Sequence, residues 1–297
     1  MRTLTLSLVL LLSCHWIYTP EIKNGYPKLE LLSVHQLEKT DTLNFDFSGI
    51  AQVDNSIYVV ADKPWNTFLY SISFDQKNWF VDSARDISSV ERLDLEAIDY
   101  CQGAFYLANE FTGSINVLNP ESNDLTNLPI NFEDYNLKPG TWKNAGWEGL
   151  TIDCDKQIMY LVKERQPRNI ISVDMNSWKI LEQFDIPQQD SNDFSDAKFQ
   201  NGFLYLLERN GNYITKVDVL KKEVVEKYHY KHIASHPDGK LYTNEKYGMA
   251  EALLLLDDEI WVGLDNNGHM ASEHAKKTYQ MKGNAPVILK FKRPKGF

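Results

Sequence analysis

Between Gly146 and Arg165 the chain reads GWEGLTIDCDKQIMYLVKER. An apolar run, a polar turn and a second apolar run follow one another. Glu148 precedes the first run and Glu164 follows the second. Short apolar runs bounded by turn residues predict strands, and a polar turn between two of them predicts a hairpin. The order recurs as FSGIAQVDNSIYVVADK from Phe47, LEAIDYCQGAFYLANE from Leu95, FSDAKFQNGFLYLLER from Phe194 and AEALLLLDDEIWVGLDN from Ala250. Turn signals sit at Asp54-Asn55, Gln102-Gly103, Asp155-Lys156, Asn201-Gly202 and Asp257-Asp258. The position before the first run is Ser48, Glu96, Glu148, Ser195 and Glu251. The position after the second is Asp62, Glu110, Glu164, Glu208 and Asp265, 13 to 16 residues later.

A third strand follows each pair: FLYSISF, SINVLNP, NIISVDM, YITKVDV and VILKFKR. A fourth, WFVDSAR, DLTNLPI, WKILEQF or EVVEKYHY, follows in all repeats but the last. KLELLSVHQL, Lys28 to Leu37, is expected to supply the missing strand and so close a ring. Four-stranded antiparallel units recurring every 47 to 56 residues predict an all-β protein, a β-propeller. Five blades are favoured over six, and a β-sandwich with irregular repeats is the plainer alternative. Residues 26–297 are read as a single propeller domain.

Residues 1–25 are set apart from that fold. One Arg precedes an apolar stretch from Leu4 to Leu12, which is too short for the ~20 residues of a membrane span. It reads as a secretory signal. Leu11-Leu12-Ser13-Cys14 resembles a bacterial lipoprotein box, with Cys14 the acylated residue. The expected location is the cell envelope, periplasmic or at the outer membrane or cell surface, with the membrane reached through a lipid anchor. A monomer is expected. Export would permit a disulfide, but Cys101 and Cys154 are read as free or weakly buried thiols. A net charge of −10 argues against a nucleic-acid partner, which calls for a basic footprint.

In a propeller blade the start of strand one and the end of strand two lie at the same face. Glu96, Glu148 and Glu251, with Ser48 and Ser195, should therefore ring the channel mouth. Asp62, Glu110, Glu164, Glu208 and Asp265 should form a wider ring. Such carboxylates repel one another, and burial raises their pKa values. They can stay solvated, pair with Lys63, Arg165 or Arg209, or hold a metal; all-oxygen ligation suits Ca²⁺. The alternative for any single glutamate is a structural bond to backbone N–H groups. Three long loops, Asn131–Ala145, His229–Gly248 and Asn266–Pro286, open at that face. Long loops in a compact repeat usually carry function. These bring Tyr135, Trp142, His232, His236, Tyr242, His269 and His274, which predict a covered, aromatic-lined acidic pocket.

The succession FSGI…YVVADKPW, DLEAID…YLANE, GWEGLTID…YLVKE, DFSDAKF…YLLER and AEALLL…VGLDNN resembles the SdiA-regulated family over residues 44 to 295. A more distant likeness runs to phytase-like esterase and calcium-dependent lactonase propellers. The resemblance implies a five-bladed propeller with a calcium ion in the channel cavity, and it carries over Glu96, Glu148 and Glu251. Glu96-Ala97 and Glu251-Ala252 depart from the family's Glu-Gly, and Ser195-Asp196 from its Ser-Gly; a side chain there is expected to narrow the mouth. Two functions remain open. One is a binding module for a small-molecule ligand or a cell-envelope component. The other is a calcium-dependent hydrolase of an ester, lactone or phosphoester, with Glu164, Glu208 or His269 as general base.

Overall fold

The computed structural model describes residues 25–38, 45–87, 92–186, 191–234, 241–243 and 249–297. Cys14, His236 and the leader read at residues 1–25, but for Gly25, lie outside them. In chain order the strands are β1 (Glu30–Leu37), β2 (Phe47–Val53), β3 (Ser56–Ala61), β4 (Phe68–Phe74) and β5 (Asn78–Asp86). Next come β6 (Leu95–Cys101), β7 (Ala104–Asn109), β8 (Ser114–Leu118) and β9 (Leu125–Asn127). The third group is β10 (Trp147–Asp153), β11 (Ile158–Lys163), β12 (Asn169–Asp174) and β13 (Lys179–Phe184). The fourth is β14 (Asp196–Gln200), β15 (Phe203–Glu208), β16 (Tyr213–Asp218) and β17 (Glu223–His229). The last strands are β18 (Ala250–Leu255), β19 (Glu259–Leu264) and β20 (Val287–Lys292). The helices are short, α1 (Lys231–Ala234) and α2 (Glu273–Tyr279). No helix among the described residues is long and apolar enough to cross a membrane.

Strands β6–β9, β10–β13 and β14–β17 each form a four-stranded antiparallel sheet. The remaining strands form an eight-stranded sheet in the order β18-β19-β20-β1-β5-β4-β3-β2. Within it β1 lies antiparallel to β20, from Glu30–Lys292 to Gln36–Val287. Its far end meets β5 in parallel only at Gln36–Asn78 and Leu37–Trp79. The eight-stranded sheet is thus two four-stranded halves touching at one corner. The first strands contact one another in cyclic order, β2 with β6, β6 with β10, β10 with β14, β14 with β18, and β18 with β2. The protein is all-β and propeller-like: cyclic contact covers the first strands, while β9, β13 and β17 remain as the short outer edges of their sheets.

Apolar faces meet between neighbouring sheets. Trp147, Leu150 and Met159 pack with Ala97, Tyr106 and Ile115, and Phe47 and Trp79 with Ala252 and Leu254. Ala97 and Ala252 are fully buried in these layers. That corrects the expectation drawn from the Glu-Ala pairs: the methyl groups fill the space between sheets and do not narrow the mouth. Where first strands approach most closely there is no such room. A Cβ on Gly149 would lie 2.9 Å from the Ala197 nitrogen and 3.1 Å from its Cβ.

The reading of Cys101 and Cys154 as free thiols is also overturned. They form a disulfide, with Cα atoms 5.9 Å apart. Cys101 ends β6 and Cys154 directly follows β10, so the contact between these adjacent first strands brings the cysteines within bridging range.

Candidate functional site

Four of the five first hairpins carry the same irregularity. The register shifts between Phe47 and Gly49, Leu95 and Ala97, Trp147 and Gly149, and Ala250 and Ala252. The extra residue in each bulge is Ser48, Glu96, Glu148 or Glu251. A bulge re-aims its side chain away from the regular alternation of the strand. Three of these side chains, Glu96, Glu148 and Glu251, line one cavity of about 170 Å³ at the ends of the first strands. The bulge also sets the partner of the second acid. Asp62, Glu110, Glu164 and Asp265 each sit just past their strand, with backbone N–H donated to Asp46, Asp94, Gly146 and Met249. All four line the same cavity.

The fourth hairpin, β14–β15, has no register shift. Its two bracketing positions are 13 residues apart rather than 14 or 16. Glu208 is therefore the last residue of its strand, equivalent to Ala61, Asn109, Lys163 and Leu264. Its side chain enters the sheet interior, where it pairs with Lys227 at 2.7 Å; both are fully buried. Thr215 donates to the same carboxylate. Glu208 is not a cavity residue, which corrects its placement in the wider ring. One residue on, Arg209 occupies the position that the other repeats give to an acid, and it lines the cavity.

Arg209 reaches three carboxylates. Its Nη1 donates to both oxygens of Glu251, at 2.7 and 2.9 Å, its Nε to Asp193 at 3.2 Å, and its Nη2 to Glu164. Burial alone would lower its pKa, but Glu251 and Glu148 outweigh burial and raise it. Two further cations stand at the rim: Arg165 pairs with Glu164 and Lys63 with Asp62.

Glu96 and Glu148 are not paired in this way. Glu96 and Glu148 are nine-tenths or more buried. Among the described residues no hydrogen-bond donor or ion pair reaches either carboxylate. Both are pushed well above the usual carboxylate range, first by burial. Glu148, Glu110 and Asp94 add to the shift at Glu96, while at Glu148 the Arg209 charge opposes it. Glu110 is raised by burial and Asp94, against one hydrogen bond from the Gly146 N–H at 2.9 Å. Burial, Asp46 and Glu251 push Asp265 to about 7. One oxygen each of Asp62, Asp94 and Glu96 lie within 4.8 Å of one another. Ligands on opposite sides of a Ca²⁺ ion, each at ~2.3–2.6 Å, are separated by about that distance. Oxygen-only donors and buried carboxylates without donors fit a hard divalent cation. Asp94 was not legible as a site residue, because it belongs to the loop before β6 and not to the repeated bracket.

The remaining expected residues are elsewhere. Ser48 donates to the Leu95 carbonyl, and Ser195 is fully buried. Asp196 is wedged between first strands, accepting from Leu253 N and Ala197 N at 2.7 Å. Burial, against Lys198, raises it to about 7. His269 is half-buried in the loop after β19 and does not line the cavity. The expected aromatic lining is absent: Phe47 is the one aromatic side chain among the described lining residues. Tyr135 donates to the Ile180 carbonyl, Trp142 packs on Trp147 and Tyr242 donates to the Ala285 carbonyl. Among the described residues of the three long loops, only Asn144 and Asn267 line the cavity.

Fold and cavity together define a propeller-like scaffold whose axial end gathers acids around one arginine. The SdiA-regulated family model matches residues 37–233, and the chain belongs to that family. No curated protein matches it by sequence. Among solved structures, Myxococcus xanthus glutaminyl cyclase is similar at a TM-score of 0.58 and 8% identity, over 90% of this chain and 97% of that one. A luciferin-regenerating enzyme is similar at 0.49 and 12%, over 83% and 78%. At 8% identity the likeness to the glutaminyl cyclase is one of fold.

Proposed function

We propose that this chain is an exported, lipid-anchored five-bladed propeller whose acidic cavity binds calcium and serves as a binding module for a small-molecule ligand or envelope component. The observation that carries the reading is the pair Glu96 and Glu148, buried without donors beside the Asp62, Asp94 and Glu96 group. Asp62, Asp94 and Glu96 would hold the ion, with Glu148 and Glu110 as neighbours. Bound there, the ion would neutralise the buried acids and polarise an oxygen of whatever ligand it meets. Counting each half of the eight-stranded sheet separately, with β1 completing the half that ends the chain, supports a reading of five blades. A disulfide suits an oxidising compartment, and the Leu-Leu-Ser-Cys14 box supports the anchor.

A hydrolase reading finds less support. Glu164 is engaged by Arg209 and Arg165, and Glu208 by Lys227, so neither is a free base. Calorimetric titration with Ca²⁺, using Glu96→Gln and Asp94→Asn as controls, tests the site. Saturable heat in the wild type, reduced at least tenfold in affinity in both variants, is expected. The absence of heat and of any thermal shift would remove the calcium reading. Calcium-dependent turnover in a screen of esters, lactones and phosphoesters would replace the binding module with the hydrolase.

A further inference from the structure

The cavity's three cations are not equivalent. Arg209 has Nε, Nη1 and Nη2 all engaged by acids, and its side chain is 13% exposed. It is a fixed counter-charge. Lys63 and Arg165 stand at the rim with side chains 40% and 34% exposed, and each pairs with one cavity acid, Asp62 or Glu164. Lys63 is also tied into the three-acid group. Its backbone takes the left-handed conformation, with φ of 84°, which is uncommon for a residue with a Cβ. Its N–H donates to Asp94 Oδ1 at 3.0 Å and to Asp62. The acid its side chain pairs with is therefore one of the three carboxylates suited to the ion.

Resting on the calcium reading above, we propose that the cavity takes an anionic ligand, a carboxylate or a phosphate monoester, received jointly by the ion and Lys63, with Arg165 beside them. Seven acids outnumber three cations among the described lining residues, and each cation is paired with an acid, so without the ion no cation is left for an anion. Ion binding at Asp62 draws that carboxylate's charge away from Lys63. The ammonium group is left at the rim with its partner engaged elsewhere. A dication and an ammonium side by side then form an anion site that depends on the metal. Arg165 keeps its position through an Nη2 bond to the Asn144 carbonyl at 2.5 Å and an Nη1 pair with Glu164, and it adds positive charge beside the site.

The test is calorimetry on the full chain. Methyl phosphate and, separately, acetate are titrated into calcium-saturated and calcium-stripped protein. At least one anion is expected to bind the saturated protein and neither the stripped protein. Binding by methyl phosphate alone assigns a phosphoester ligand, and by acetate alone a carboxylate. Lys63→Met is expected to weaken the anion at least tenfold while calcium binds as tightly or more tightly, since a competitor for Asp62 is gone. Lys63→Arg should retain the anion, which separates a charge effect from misfolding. Calcium binding without anion binding, equal anion binding in stripped protein, or Lys63→Met within twofold of wild type would each overturn the proposal while leaving the calcium site standing. Failure of calcium to bind would remove both.

Discussion

Arg209 Nη1 holds both oxygens of the Glu251 carboxylate, at 2.7 and 2.9 Å, across the junction between two sheets. Arg209 follows β15 and Glu251 is the bulged residue of β18, so one side chain links consecutive repeats at the cavity floor. The same guanidinium carries Glu164 and Asp193. Removing one partner of a buried charge network leaves the others uncompensated, at a cost of about 3–5 kcal/mol. Arg209→Met should therefore lower the urea unfolding free energy by about that amount. Arg209→Lys should recover only part of it, because an ammonium cannot make the forked contact. A loss under about 1 kcal/mol for Arg209→Met, below the cost of even one unsatisfied buried group, would contradict this account.

Stability should fall as pH rises from about 4 to 8. Asp196 and Asp265 are raised to about 7 in the folded protein, chiefly by burial, against ~3.9 when unfolded. Between those values the native state holds protons that the unfolded state has lost, so stability present below the unfolded pKa disappears through the folded one. Asp75, Asp174 and Asp218, lowered chiefly by hydrogen bonds, act oppositely and only at lower pH. Thermal midpoints measured from pH 4 to 8 check the slope. Asp265→Asn should flatten it and gain roughly 1–3 kcal/mol at pH 8.

The disulfide links positions 53 residues apart. Loop-closure entropy for a loop of that size corresponds to about 4 kcal/mol, with 2–4 typical of measured bridges. Cys101→Ser with Cys154→Ser should lower the denaturant midpoint accordingly, and adding reductant should lower the wild type but not the double variant.

Gly149→Ala places a Cβ within 2.9–3.1 Å of Ala197 and Asp196 backbone and side-chain atoms. Overpacking there should cost about 1–3 kcal/mol, read by chemical denaturation. Gly202→Ala meets no atom within 4 Å but sits at φ of +84°, so its cost should come from backbone strain alone, about 1 kcal/mol. A larger loss at Gly202 than at Gly149 would reverse the ranking.

Glu208→Gln should leave calcium affinity unchanged while destabilising the fold, because it removes the charge that pairs with buried Lys227 at 2.7 Å. Glu96→Gln should do the reverse. Paired calorimetry and urea melts on the two variants check this; a matched loss of calcium affinity would return Glu208 to the cavity.

The sequence by itself determined the repeated hairpin, the strand order and the grouping of most bracketing acids. Short apolar runs and turn residues are local signals, and a cyclic repeat then maps equal positions to one end. The 13-residue spacing of Ser195 and Glu208 was visible too, but its meaning was not. Only pairing between strands decides whether a bulge is present, and one residue of register exchanges Glu208 for Arg209 at the cavity. The placement of Asp94, the Cys101–Cys154 bridge and the inward or outward turn of the loop aromatics were likewise settled by tertiary contact. Each depends on which distant segments meet, and the free energy of such meetings is not written in any one stretch of chain.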